Sequence, residues 1–77
     1  MTKYAGYHID GSKAQEFKVE AMKLFSNPEI KRELMWRMCN FDKETNSFDI
    51  NCGLPQQLPK EILALAQKYG TGFNSYA

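Results

Sequence analysis

The chain has one histidine, two cysteines, one tryptophan and three prolines in 77 residues. Neither sign of charge dominates: ten Lys and Arg stand against nine Asp and Glu, a formal net charge of +1. Each shortage excludes something. A single histidine, His8, with no Cys-x-x-Cys or His-x-x-x-His spacing, leaves no framework for a metal and no obvious nucleophile–base pair. Cys39 and Cys52, without a secretion signal, are expected reduced and packed rather than joined. Near-neutral charge gives no field that would draw the protein to nucleic acid or to an acidic membrane. No apolar run is long enough for a signal peptide or a membrane span, so the expected compartment is the cytoplasm. No P-loop or dinucleotide fingerprint occurs. No metal, no cofactor and no enzymatic turnover are expected.

What is present is a globular composition, with 43% apolar and 13% aromatic residues. Disordered chains are poor in aromatics and rich in net charge, so this one is expected to fold. One domain spanning residues 1–77 accounts for the length, with 1–2 and 71–77 as loosely ordered tails. A chain of this size hides only roughly 60% of its unfolded surface, so a second subunit would add stability.

The local patterns give an order β-α-α-β-α. Residues 3–10 alternate, with Ala5, Tyr7 and Ile9 on one face and Tyr4, Gly6, His8 and Asp10 on the other. Ser12 with Gln15 three residues on resembles a capping box, and Ala14, Phe17, Ala21, Leu24 and Phe25 share one helical stripe up to about residue 25. Val19 points away from it. Ser26 or Asn27 then caps a second helix that has Pro28 at its first position and Glu29 complementing its dipole. The short link predicts an αα-hairpin. "SFDINC" alternates as a strand with Phe48, Ile50 and Cys52 inward. Pro59 opens a third helix, with Leu58, Ile62, Leu65, Ala66 and Tyr69 on its stripe, and Gly70 stops it as a C′ glycine. The expected fold is α+β: an αα-hairpin and a third helix packed with two short strands.

The second helix, read to about Asn40, is apolar on two sides. Ile30, Leu34, Met38 and Phe41 form the stripe facing the first helix. Met35 and Cys39 fall roughly opposite, with Trp36 further round. A strand or the third helix would cover this second face, or it is left for a partner. Trp, Met and Arg anchor protein interfaces. The candidate partner-binding residues are therefore Trp36, Met35, Arg32 and Arg37, with Phe73 and Tyr76 near the C-terminus as a second group. The functional expectation is a small non-enzymatic module that binds another protein as adaptor or inhibitor by occluding its surface. Regulators of this size are common in bacteria and their phages. A homodimer is a further expectation, since either strand could pair across a free edge.

Two alternatives use other residues. A helix-turn-helix reading of residues 14–41 would place Lys31, Arg32 and Arg37 on DNA, although Trp36 and Met35 interrupt that face. A ligand or nucleotide sponge would seat an anion on Gly11, Ser12 and Lys13, where a glycine turn meets a helix start. His8 and Asp10 share a strand face, which resembles a base beside its orienting carboxylate. The simpler reading is an exposed histidine next to a turn.

Overall fold

The computed structural model describes residues 3–53 and 58–76, the side chains of 3–5 and 74–76 excepted. Its elements run β1 (Lys3–Ile9), α1 (Gly11–Leu24), α2 (Pro28–Arg37), β2 (Met38–Cys39), β3 (Phe48–Asn51), α3 (Lys60–Tyr69) and β4 (Gly70–Tyr76). The fold is α+β, and β1, α1, α2, β3 and α3 follow the order read from the sequence. Two further strands complete an antiparallel four-stranded sheet ordered β2-β3-β1-β4. With β1 and β3 central, this is the split β-α-β connectivity of ferredoxin-like domains, its first crossover built from two helices.

Period-two alternation sets the sheet. Ile9 on β1 and Phe48 and Ile50 on β3 are fully or almost fully buried. They meet Ala14, Phe17 and Ala21 of α1, Ile30 and Leu34 of α2, and Ile62, Leu65 and Ala66 of α3 in one core. All three helices therefore contribute to the same side of the sheet. Phe17 is a central contact, edge-on to Phe48 at 5.3 Å and to Tyr69 at 6.3 Å. The opposite side carries His8, Asp49, Thr71 and Phe73, which the register aligns in two rows.

Asn27 caps α2 as the sequence suggests, accepting from the backbone N–H groups of Glu29 and Ile30 at 3.0 and 3.4 Å. The cap of α1 is Asp10 and not Ser12. Asp10 has extended backbone and accepts from Ser12 N at 3.1 Å and Ser12 Oγ at 2.6 Å. A carboxylate serves a helix start better than a hydroxyl, because it also meets the dipole. These two hydrogen bonds from Ser12 hold the Asp10 carboxyl below its ordinary value of 3.8. A group whose folded pKa is lowered contributes stability above its unfolded pKa and loses that contribution as pH falls through the folded value. Asp10→Ala is thus expected to lower the melting temperature at neutral pH, and the gap from wild type should close once the pH is well below 3.8. Thermal melts of both proteins across that range check it, and a gap independent of pH would contradict it.

Four expectations are corrected. First, α2 ends at Arg37, not near Asn40; Met38 and Cys39 leave the helix to pair with Ile50 and Asp49 as β2. Phe41 is consequently not on the helical stripe: it is 62% exposed and stacks on Phe48 at 5.6 Å. Second, the helical neighbour of α1 is α3, while α2 packs on β2 and β3. Lys68 and Glu20 tie α3 to α1 at 2.6 Å. Third, the segment read as a tail is β4, paired with β1 from Gly70↔Ile9 to Tyr76↔Lys3. Fourth, Gly70 does not adopt the left-handed C′ conformation; its φ is −116°. A glycine stands there because a Cβ would lie 2.8 Å from both Ala66 O and Ile9 Cδ1. The expected tail at residues 1–2, and residues 54–57 ahead of the third helix, fall outside the described residues.

Candidate protein-binding face on the second helix

Helical periodicity turns Ile30, Leu34 and Arg37 toward the core and Arg32, Met35 and Trp36 away from it. Met35 is 59% and Trp36 51% exposed. Neither strand nor α3 covers them to the point of burial, so the second apolar side of α2 stands in solvent. Large apolar side chains adjacent on one helix face, with arginine beside them, have the composition of interface hot spots.

Arg37 is the correction to the expected site. Expected on the surface, it is fully buried. Its Nε donates to Glu33 Oε1 at 3.1 Å, one turn back, and its Nη1 donates to the main-chain carbonyl of Asn51 at 2.9 Å. Its Nη2 is buried with no hydrogen-bond partner among the described residues. An arginine is almost never buried whole unless it is paired, and here the pairing fastens the end of α2 to the end of β3. The guanidinium carbon lies 4.6 Å from the centre of the Trp36 ring, within cation–π range. Arg37 therefore supports Trp36 from beneath rather than standing beside it on the surface.

The other candidate residues separate. Arg32 is exposed and borders a groove shared with Glu29, Glu33 and Glu61, where acidic groups offset its charge. Phe73 is half-buried on β4, opposite Gly6 on the helix-free side of the sheet. Tyr76 ends β4, and its side chain lies outside the described set. Neither belongs to the α2 face. The proposed anion seat at Gly11, Ser12 and Lys13 already holds an anion, since the Asp10 carboxylate accepts from Ser12. For the DNA reading, Lys31 and Arg32 are exposed but Arg37 is not, so one of its three contacts is removed.

The sequence did not lead to the network on the far side of the sheet. His8 sits across from Asp49, and its Nδ1–H donates to Asp49 Oδ1 at 2.7 Å. Asn40 Nδ2 donates to Asp49 Oδ2 at 2.9 Å. The partner of His8 is thus Asp49 and not Asp10. The signal was available, since both His8 and Asp49 fall on the wet face of their alternation, but the pairing register was needed to join them. An oriented imidazole needs a nucleophile close by. Cys39 lies beyond Asp49, two strands from His8 and so roughly 10 Å away. Cys52 is buried, which pushes its thiol pKa up. Among the described residues no three His, Cys, Asp or Glu groups are placed to hold a metal ion, and no helix is long and apolar enough to cross a membrane.

No family model, curated protein or solved structure shows significant similarity to the chain. The connectivity shared with ferredoxin-like domains describes architecture only, because one fold hosts many functions.

Proposed function

We propose that the chain is a non-enzymatic protein-binding module that occludes a surface of its partner through the outer face of α2. One observation carries this reading: Trp36 stands half exposed on a buried, hydrogen-bonded Arg37. An exposed tryptophan on a flexible mount pays an ordering cost when it binds. One whose ring rests on a fixed guanidinium loses less freedom, which is how preorganisation raises affinity. Met35 beside it adds an adaptable apolar contact, and exposed Arg32 supplies a charge at the rim.

The test compares proteins captured from a lysate by immobilised wild-type chain with those captured by Trp36→Ala, Met35→Ala and a Val19→Ala control. Val19 is an exposed apolar residue on α1. The proposal expects a protein kept by wild type and Val19→Ala and lost by both α2 variants. Adding that protein in purified form should shift the emission of Trp36, the only tryptophan. Survival of every captured protein in the Trp36→Ala experiment would sink the reading.

A further inference from the structure

The two edges of the sheet differ. At one end β2 is only two residues long, a form of edge that offers little to a second strand. At the other end β4 extends for seven residues, GTGFNSY, and pairs among the described residues with β1 alone. Natural edge strands are guarded by lysine or other charges, by proline, by bulges or by short length. β4 has none of these. Its sequence contains no charged residue and no proline. Its register with β1 advances one residue at a time from Gly70 to Tyr76, without a bulge.

We propose that β4 is the dimer edge and that its occupant is the β4 strand of a second copy of this chain, joined antiparallel about a two-fold axis. Symmetry fixes much of the arrangement. An axis normal to the sheet reverses strand direction and keeps each face on its own side, so a residue on one face must oppose a residue on the same face. Centring the overlap places the axis at Phe73, the midpoint of Gly70–Tyr76. Phe73 then opposes Phe73 of the second copy, Thr71 opposes Ser75, and Gly72 opposes Asn74.

Two features make this strand suited to its own copy. Antiparallel self-pairing sets identical side chains against each other at the axis, and a charge there would repel its twin; Phe73 supplies an aromatic pair instead. An isologous contact must also be self-complementary, and an uncharged strand meets that condition in every register. The result is one eight-stranded sheet with all helices on one side, covering the longer edge of each copy. This contact lies on the sheet edge and is separate from the α2 face, so either inference can fail without the other.

Sedimentation analysis of the wild-type chain over a wide concentration range tests the proposal, with Phe73→Lys and Thr71→Lys as variants. Wild type is expected to move reversibly between the 8.9 kDa chain mass and twice that value. Phe73→Lys, which sets two ammonium groups face to face, should raise the dimer dissociation constant by roughly tenfold or more, equivalent to about 1.4 kcal/mol. Thr71 is exposed, so Thr71→Lys keeps the test intact if Phe73→Lys fails to fold. In a sample mixing labelled and unlabelled chains, intermolecular contacts should centre on Phe73. A wild type that stays monomeric at the highest concentration would overturn the proposal. So would a dimer that both lysine variants leave unchanged and that Trp36→Ala dissolves.

Discussion

A Gly11→Ala chain is expected to lose about 3 kcal/mol of stability, in the upper range for overpacking, and roughly 12–24 °C in melting temperature for a domain of this size. Helix propensity argues the other way, because alanine is the better helix former by about 1 kcal/mol. Space decides the sign. A Cβ on Gly11 would stand 1.7 Å from the carbonyl oxygen of Thr45 and 2.9 Å from its carbon. Both are main-chain atoms, so no side chain can swing aside. Thr45 belongs to the turn between β2 and β3, which is braced internally: Asp42 N donates to Ser47 O, Asn46 N to Asp42 O, and the Asp42 carboxylate accepts from Glu44 N and Thr45 N. Moving Thr45 displaces buried Ser47 and the start of β3 at Phe48. Gly53→Ala is the comparison, since among the described residues a Cβ there meets only the Asn51 side-chain oxygen at 3.1 Å. Thermal melts of the two variants should differ widely. Equal melting temperatures would mean that the turn does not rest on α1.

The second large effect concerns Arg37. Arg37→Ala should cost about 3 kcal/mol, within the usual range for truncating a large buried side chain to alanine. Arg37→Met should recover at least half of that loss. It refills most of the volume and leaves no charge inside, and the Glu33 carboxylate that loses its partner is part-exposed and can turn to water. It does leave the Asn51 carbonyl without the 2.9 Å bond from Nη1, so full recovery is not expected. Urea unfolding followed by far-ultraviolet dichroism measures both. Function should divide differently from stability. Both variants remove the guanidinium at 4.6 Å from the Trp36 ring, so the ring gains freedom and partner capture should weaken even in the well-folded methionine variant. If Arg37→Met binds as wild type does, Trp36 does not depend on its support.

Much of the architecture was legible because local signals agreed with the final packing. The Asn27–Pro28 boundary, the β3 alternation and the α3 stripe at Ile62, Leu65 and Ala66 all appear where the residues suggest. The losses have physical reasons. Nothing local stops α2 at Arg37. Met38 and Cys39 continue the helical pattern, and only their pairing with Ile50 and Asp49 pulls them into a strand. The turn that follows uses left-handed backbone at Asn40 and Asn46, with φ of 56° and 61°, a conformation asparagine tolerates better than most residues. β4 is masked in the sequence because Gly70 reads as a helix stop, with Gly72 a further breaker two residues on. Gly70 has no room for a Cβ, and at Gly72 a Cβ would press on the Tyr7 ring at 3.2 Å.

The candidate site was half legible for a related reason. Arg37 lies three residues after Leu34 and seven after Ile30, on the inward stripe, but polarity argued for Met38 in that place. Met35 and Trp36 did follow from helical geometry, and the structure leaves both exposed. The sequence had also left open whether these two are core.

The most direct measurement is the unfolding free energy of Trp36→Ala, read by far-ultraviolet dichroism in urea. With Trp36 half exposed on the surface of α2, the variant should lose less than about 1 kcal/mol, as most surface substitutions do. A loss of about 3 kcal/mol or more, the value for a tryptophan cut from a core, would contradict the account.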